Sequence, residues 1–91
     1  MLKAFPTKQY KKSFKKLKHS GKFNEIELNE VIDKLCAGEN LGLNYQDHKL
    51  HGGYVGCREC HIKGDILLIY QIKNKELVLV LIDISSHSEL F

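Results

Sequence analysis

Hydrophobic positions near the start of the chain recur with a helical period. Tyr10, Phe14 and Leu17 follow one another at spacings of four and three residues, which gives a helix one narrow apolar face. Thr7 is a suitable N-terminal cap, because its side-chain oxygen can accept a hydrogen bond from a backbone N–H group of the first turn. The pattern predicts a first helix that runs from Thr7 to about His19.

A second helical pattern begins after Gly21. Asn24 and Glu27 have the spacing of a helix cap and its third residue, and Gly38 is placed to close the last turn, because glycine readily adopts a left-handed conformation. The apolar residues between these signals occupy positions i, i+3, i+4 and i+7, namely Leu28, Val31, Ile32 and Leu35. The pattern predicts a second helix that ends near Ala37.

The last third of the chain changes to runs of strand length. Residues 66–72 and 77–84 are rich in leucine and β-branched residues, which is typical of strands. The polar residues 73–76 between them predict a short hairpin turn, in which Asn74 would tolerate a positive φ. Because both runs are almost continuously apolar, we expect central strands that are covered closely on both sides.

Two further segments complete the predicted sheet. Residues 57–62 are read as a third strand and residues 2–5 as a possible N-terminal strand, whereas residues 39–56 contain four glycines and are read as a loop with room for one short strand. The order predicts an α+β fold with two N-terminal helices packed on a mainly antiparallel sheet of four to five strands. A length of 91 residues suits one compact domain over residues 1–91.

Charge is distributed unevenly along the chain. The formal net charge is only +3, yet the first 22 residues contain eight lysines and no acidic residue. This polarity favours a polyanionic partner such as nucleic acid, with a solvated lysine-rich helix face as the alternative. The lysines of the predicted first helix that would meet such a partner are Lys8, Lys11, Lys12, Lys15, Lys16 and Lys18.

Composition excludes several other classes of protein. With 43% hydrophobic and 27% charged residues, the chain has the balance of an ordinary globular protein and not of a disordered or collagen-like one. No run of 18 to 20 uncharged apolar residues would span a membrane, and the N-terminal residues do not resemble a secretory signal. We therefore expect a cytoplasmic protein whose three cysteines are reduced.

The segment CRECH formally matches a haem-attachment pattern. Cys57, Cys60 and His61 have this spacing, but covalent haem attachment is expected on exported proteins. A structural zinc site would need four ligands, and Cys36 is the one cysteine left to join them. In a strand, Cys57 and Cys60 would also point to opposite faces. We therefore interpret these cysteines as structural and expect neither a metal nor a cofactor.

Ionisable residues collect in the second half of the chain. Histidine exchanges protons near neutral pH, and cleavage of an RNA phosphodiester needs one group to deprotonate the 2′-hydroxyl and another to protonate the leaving oxygen. A cation, Arg58 or Lys63, would offset the charge that develops on the phosphate. Taken singly, each histidine is more often a surface residue than a catalyst. The residues in question are His48, His51, Arg58, His61, Asp65 and His87.

Several short sequence blocks follow one another in residues 47–91. They are an Asp-His-x-Leu block in DHKL, an Arg-Glu-x-His block in RECH, an aspartate before a hydrophobic strand in GDILLIY, and a terminal His-x-x-Leu-Phe in SHSELF. In this order and spacing they resemble the YafQ branch of the RelE-like bacterial toxins. The basic first helix and the chain length agree with the resemblance.

The resemblance implies a ribosome-dependent endoribonuclease, or mRNA interferase, that is the toxin of a type II toxin-antitoxin pair. It implies a RelE-like fold, a cognate antitoxin, and a ribosome with its mRNA as partners, without a membrane or a small-molecule cofactor. The active-site positions of the family correspond to His48, His61, Asp65, His87 and Phe91. His87 would act as general acid toward the 5′-oxygen, the other two histidines and Asp65 would serve the 2′-hydroxyl, and Phe91 would stack on a base.

The chain also departs from the family pattern. The family usually has an arginine four positions before its final histidine, where this chain has Asp83, and a proline before its aspartate, where this chain has Gly64. An acidic group facing the scissile phosphate would repel it. The alternative is therefore a catalytically weakened module that binds antitoxin or ribosome without efficient cleavage. An inhibitor of DNA gyrase on the same broad fold is a third interpretation, which the set of histidines disfavours.

Overall fold

Two helices and one five-stranded sheet are formed by the residues that the structure describes. In a computed structural model, the structure describes residues 1–20, 25–39, 41–42, 45, 47–50, 53, 56–62 and 66–86. No helix among them is long and apolar enough to cross a membrane. The elements are β1 (Lys3–Pro6), α1 (Lys8–Ser20), α2 (Glu25–Cys36), β2 (His48–Lys49), β3 (Arg58–Ile62), β4 (Ile66–Lys73) and β5 (Val78–Ser86).

The sheet has the strand order β1-β5-β4-β3-β2. Strands β2 to β5 pair antiparallel with their neighbours, and β1 lies parallel to β5 at one edge. Residues of α1 and α2 pack with residues of the sheet in one hydrophobic core. The predicted α+β fold, with two helices on a mainly antiparallel sheet, is thus confirmed.

Helix α1 begins at the predicted cap. The Tyr10 backbone N–H donates a 3.0 Å hydrogen bond to Thr7 Oγ1, and the same hydroxyl donates a 2.8 Å hydrogen bond to the Ile82 carbonyl. Tyr10 and Leu17 are buried, and Phe14 packs against the core from a partly buried position. The narrow apolar face therefore binds α1 to the sheet and leaves its lysines outward.

Helix α2 ends as its glycine predicts. Gly38 has a φ of +77°, its N–H donates to the Leu35 carbonyl at 3.1 Å, and the Glu39 N–H donates to the Lys34 carbonyl at 3.0 Å. These two bonds form the helix-closing motif that favours glycine at this position. Leu28, Val31 and Leu35 are buried. The predicted cap, Asn24, lies outside the described residues.

The β4–β5 hairpin differs from the prediction in its turn. Strand β4 extends through Lys73, and the residue with positive φ is Leu77, at 55°, instead of Asn74. The Leu77 N–H donates to the Asn74 carbonyl at 3.2 Å, so Asn74 opens the turn and Leu77 closes it. All residues of 66–70 are buried, which confirms a central strand covered on both sides.

An irregularity in β5 decides which side chains share a face. Ile69 pairs with Asp83 but Tyr70 pairs with Leu81, so Ile82 is an extra residue, a β-bulge. One extra residue reverses the alternation of the side chains that follow it. Leu81 therefore joins the core under the helices, whereas Asp83 lies with Ile69 on the other side. We call these sides the helix face and the second face.

Candidate functional site

Two of the predicted catalytic and substrate-binding residues have described side chains, and these two lie on opposite faces of β3. Arg58 and His61 are three residues apart, and alternate residues of a strand point to opposite sides. Arg58 pairs with Tyr70, a core residue of the helix face, whereas His61 pairs with Leu67 on the second face. The structure therefore does not bring Arg58 and His61 together.

His61 lies beside a buried carboxylate. Glu59 Oε1 is 3.6 Å from His61 Nε2, with 5% of the Glu59 side chain and 30% of the His61 side chain exposed. A carboxylate at this distance favours one orientation of the imidazole ring, as acidic partners of functional histidines do. Sequence analysis did not single out Glu59. The signal was present, since residues 59 and 61 of a strand must share a face.

Arg58 belongs to a polar cluster on the helix face. Its Nε donates a 2.8 Å hydrogen bond to Asp47 Oδ1, and the Tyr70 hydroxyl donates to Asp47 Oδ2. The bond with Asp47 raises the pKa of Arg58. Burial, followed by the bond to Asp47, raises the pKa of Tyr70. We call Asp47, Arg58 and Tyr70 the carboxylate clamp.

A cavity of about 350 Å³ opens beside the carboxylate clamp. Its wall includes Leu35 from the end of α2, Glu39 from the segment after that helix, Ile72 from β4, and Asp47 and Arg58. It therefore lies on the helix face, on the other side of the sheet from His61. The cavity is a feature of the carboxylate clamp and is separate from the predicted substrate side.

The backbone of His48 lies one strand away from that of His61. Strand β2 places His48 opposite Glu59, and Glu59 and His61 share a face of β3. Two of the predicted catalytic residues thus sit on neighbouring strands. Five candidate site residues lie outside the described residues: His51, Lys63, Asp65, His87 and Phe91. Ile66, which follows Asp65, pairs with Ser86, which precedes His87.

Asp83 occupies the second face together with Glu59 and His61. It is buried, and its Oδ1 accepts a 2.8 Å hydrogen bond from the Ile84 N–H. Ile69 pairs with Asp83 on one side and with Glu59 on the other, so two carboxylates flank one apolar residue. The second face therefore carries the carboxylate of Asp83 at the position where the family pattern has an arginine.

Cys60 has the properties of a structural residue. Cys60 is fully buried in the core, and burial raises the pKa of its thiol to about 12, so it is a poor nucleophile and metal ligand at neutral pH. Cys57 lies just before β3 and is partly exposed. In the described part of the chain, no three histidine, cysteine or acidic residues come close enough to hold a metal ion.

The lysines of α1 form an exposed basic surface. It consists of the predicted residues Lys8, Lys11, Lys12, Lys15, Lys16 and Lys18, all of which are exposed. The Lys18 Nζ atom also lies 3.9 Å from Oε2 of Glu25 in α2. Because α1 packs on the helix face, these lysines and His61 lie on opposite sides of the sheet. The molecule thus has a basic side and a side that carries histidine and carboxylates.

Comparison with known proteins points to one family. The sequence matches a family model described as the bacterial toxin of type II toxin-antitoxin systems, YafQ, over residues 2–91. A segment of 28 residues is 64% identical to a protein of Haemophilus influenzae named as a YafQ toxin. That segment covers 31% of this chain and 28% of the length of the relative.

Solved structures extend the similarity to the whole chain. A metal-bound toxin from Helicobacter pylori is 43% identical, with a TM-score of 0.90 and 100% of both chains covered. The YafQ chain of the E. coli DinJ-YafQ complex is 25% identical, with a TM-score of 0.84, and the match covers 100% of this chain and 99% of that one. The sheet and its two helices are therefore shared with both proteins.

Proposed function

Because the chain belongs to the YafQ family of toxins from bacterial type II toxin-antitoxin systems, we propose that it is an endoribonuclease that cleaves mRNA on the ribosome and so inhibits translation. The observation that carries the proposal is the second face of the sheet. There, a histidine that is 30% exposed adjoins a buried carboxylate, and the strand that contains His48 lies alongside.

The proposed reaction is an acid-base transesterification. The 2′-oxygen attacks the neighbouring phosphorus, the bond from phosphorus to the 5′-oxygen breaks, and the products are a 2′,3′-cyclic phosphate and a 5′-hydroxyl. His48, His61 and Asp65 serve the side of the 2′-hydroxyl, and His87 protonates the leaving oxygen. Glu59 orients the ring of His61. Pairing of Ile66 with Ser86 supports a shared site for Asp65 and His87, which adjoin them in the sequence.

Two further residues are assigned to the substrate in this proposal. Phe91 stacks on a base, a contact that tolerates any sequence. A cation must offset the negative charge on the phosphate oxygens in the transition state, where the phosphorus is five-coordinate. Arg58 is bonded to Asp47 on the helix face, so we assign this role to Lys63 and a structural role to Arg58.

The exposed lysines of α1 contact ribosomal RNA. They lie on the opposite side of the sheet from His61, so one molecule can touch the ribosome with its basic side and the mRNA with its second face. Neutralising phosphates with lysines also makes such binding depend on salt. This role places the protein in the cytoplasm with the ribosome.

A cognate antitoxin binds the toxin and blocks its activity. The YafQ toxin of E. coli was solved as a complex with DinJ, which supports a protein partner of this kind here. The exposed basic surface of α1 suits an acidic segment of that partner. Binding there would also compete with ribosomal RNA.

A metal has no assigned part in this reaction. The similar toxin from Helicobacter pylori was solved with metal bound. Among the residues that the structure describes here, no three potential metal ligands come together. Cleavage that persists in EDTA would agree with the acid-base mechanism.

A second candidate function rests on Asp83. This buried carboxylate lies on the second face, where negative charge repels a phosphate. A module that binds antitoxin or ribosome but cleaves inefficiently would retain the same fold. Measured turnover separates this candidate from the nuclease.

The proposal is tested by mapping mRNA ends on translating ribosomes by primer extension. Wild-type protein is compared with a variant of confirmed fold that carries His48→Ala, His61→Ala and His87→Ala. We expect new 5′ ends inside codons with the wild type and none with the variant. Ends that persist in the variant would overturn the assigned residues, and bound ribosomes without ends would favour the second candidate.

A further inference from the structure

Strand β2 has little backbone support of its own. It contains two residues at the edge of the sheet. Its backbone pairs His48 with Glu59, and just beyond it the Leu50 N–H donates to the Cys57 carbonyl at 3.1 Å. Short edge strands fray more readily than central ones, because few buried contacts oppose their opening. Contacts other than the backbone hydrogen bonds of β2 are therefore needed to fix the backbone of His48.

The residue immediately before β2 is held by side chains of β3 and β4. Asp47 Oδ1 accepts a 2.8 Å hydrogen bond from Arg58 Nε. Its other carboxylate oxygen, Oδ2, accepts a hydrogen bond from the Tyr70 hydroxyl. Tyr70 is only 1% exposed and belongs to the core. The side chains of Asp47 and Arg58 are 21% and 37% exposed, so the bond from the buried Tyr70 hydroxyl is the better shielded of the two from water, and both bonds are charge-assisted.

We propose that Asp47 is a positioning residue for the nuclease. Through the carboxylate clamp on Arg58 and Tyr70, it fixes β2 and the backbone of His48 beside the strand that carries His61. The inference rests on the proposed function, because it assigns Asp47 an effect on a catalytic histidine. It also explains why Arg58 faces away from His61, since the guanidinium is the cationic half of the carboxylate clamp.

Catalysis is sensitive to such positioning. A misplacement of about 1 Å that arises far from the reacting atoms can reduce a rate roughly 100-fold. Strand β3 lies between β4 and β2 and is held by five residue pairs with β4. Loss of the carboxylate clamp should therefore disturb His48 and leave His61 in place. This asymmetry distinguishes positioning from a general loss of stability.

Three substitutions test the carboxylate clamp. Asp47→Asn keeps the shape of the side chain but removes its charge, and Tyr70→Phe removes the hydroxyl while keeping the ring in the core. The matched control is Glu39→Gln, which removes one negative charge from an exposed residue of the same cavity. Each variant is checked for a single cooperative melting transition above the assay temperature, and Tyr70→Phe remains informative if Asp47→Asn fails to fold.

Hydrogen exchange of backbone amides measures the effect on β2. We expect the Leu50 amide to exchange roughly tenfold faster in Asp47→Asn and in Tyr70→Phe, because opening of β2 exposes it. Amides of the β3–β4 ladder should keep their wild-type rates, and Glu39→Gln should match the wild type throughout. This readout does not require the protein to cleave RNA.

Single-turnover cleavage of ribosome-bound mRNA measures the effect on function. We expect Asp47→Asn to lower the maximal rate about 10- to 100-fold. The protein concentration that gives half of that rate should change less than twofold. The limb of the pH–rate profile that reports the base should shift, which a merely structural contact would not cause. The double variant with Tyr70→Phe should be no slower than Asp47→Asn alone, because both changes break one unit.

Any of three results would overturn the inference. One is a Leu50 amide that stays as protected in Asp47→Asn as in the wild type. Another is a cleavage rate of Asp47→Asn within twofold of the wild type. Equal acceleration of exchange across β3 and β4 would also overturn it, because that pattern means general destabilisation. If wild-type protein cleaves no mRNA, the nuclease proposal fails, and the exchange data still report whether Asp47 fixes β2.

Discussion

Thr7 and Ile82 are joined by a hydrogen bond across 75 positions of sequence, because the Thr7 hydroxyl donates to the Ile82 carbonyl at 2.8 Å. Ile82 is the extra residue of the β-bulge in β5, and Thr7 caps α1. One side chain therefore ties the start of the basic helix to the irregularity that places Asp83 on the second face.

Removal of this contact should destabilise the fold. Thr7→Ala loses both the cap and the bond to the bulge, and we expect the free energy of unfolding to fall by roughly 1–2 kcal/mol. Thr7→Ser keeps the hydroxyl and serves as the control, with a loss below about 1 kcal/mol. Urea denaturation measures both values. Equal losses in the two variants would show that the hydroxyl is not the stabilising group.

The charge of Asp83 should limit the rate of cleavage. Asp83→Asn keeps an oxygen that can accept the Ile84 N–H bond but removes negative charge from the second face, so we expect single-turnover cleavage to become roughly 2- to 10-fold faster. Asp33→Asn, on the exposed side of α2, is a control of equal charge and should not change the rate. An unchanged or lower rate in Asp83→Asn would show that this carboxylate does not oppose the reaction.

The basic surface of α1 should determine binding to the ribosome. Lys11→Gln with Lys15→Gln removes two exposed charges, which should weaken binding and lower the salt dependence by almost two units of the logarithmic slope. Lys73→Gln with Lys75→Gln is the matched control, because it removes two exposed charges from the β4–β5 hairpin. Binding is measured by co-sedimentation with ribosomes at several salt concentrations. Equal effects of the two pairs would show that net charge, and not α1, governs binding.

Alkaline pH should destabilise the protein through Tyr10. Burial, and secondarily the charge of Glu25, raises the pKa of Tyr10 to about 12 from its ordinary 10.0. Above pH 10 the unfolded chain releases this proton before the folded one does, so stability falls as the pH rises from about 10 to 12. Tyr10→Phe should lose less stability over this range in urea titrations at each pH. A parallel decline in both proteins would assign the effect to other groups.

The parts of the structure that depend on neighbours in sequence could be predicted. Tyr10 and Leu17 mark the buried face of α1, and Gly38 ends α2, because spacing and backbone preference act within a few residues. The hairpin turn was predicted less well. Asn74 tolerates positive φ, but the register of β4 with β5 places that conformation at Leu77.

The parts that depend on contacts distant in sequence could not be predicted. Arg58 was assigned to the substrate because its charge suits a phosphate, but its side chain bonds to Asp47, 11 residues away. The side of the sheet on which Asp83 lies depends on a β-bulge, and no pattern in the sequence predicts that bulge. A role in cleavage stays a prediction for His48, His61, Lys63, Asp65, His87 and Phe91.

The chemistry of the cleaved ends tests the central claim most directly. Purified ribosomes that hold an mRNA with a vacant A site are incubated with the protein in EDTA, and both ends of each fragment are identified. We predict fragments with a 2′,3′-cyclic phosphate and a 5′-hydroxyl, and no fragments from the variant that lacks His48, His61 and His87. Intact mRNA on ribosomes that have bound the protein, or fragments with 3′-hydroxyl ends, would contradict the account.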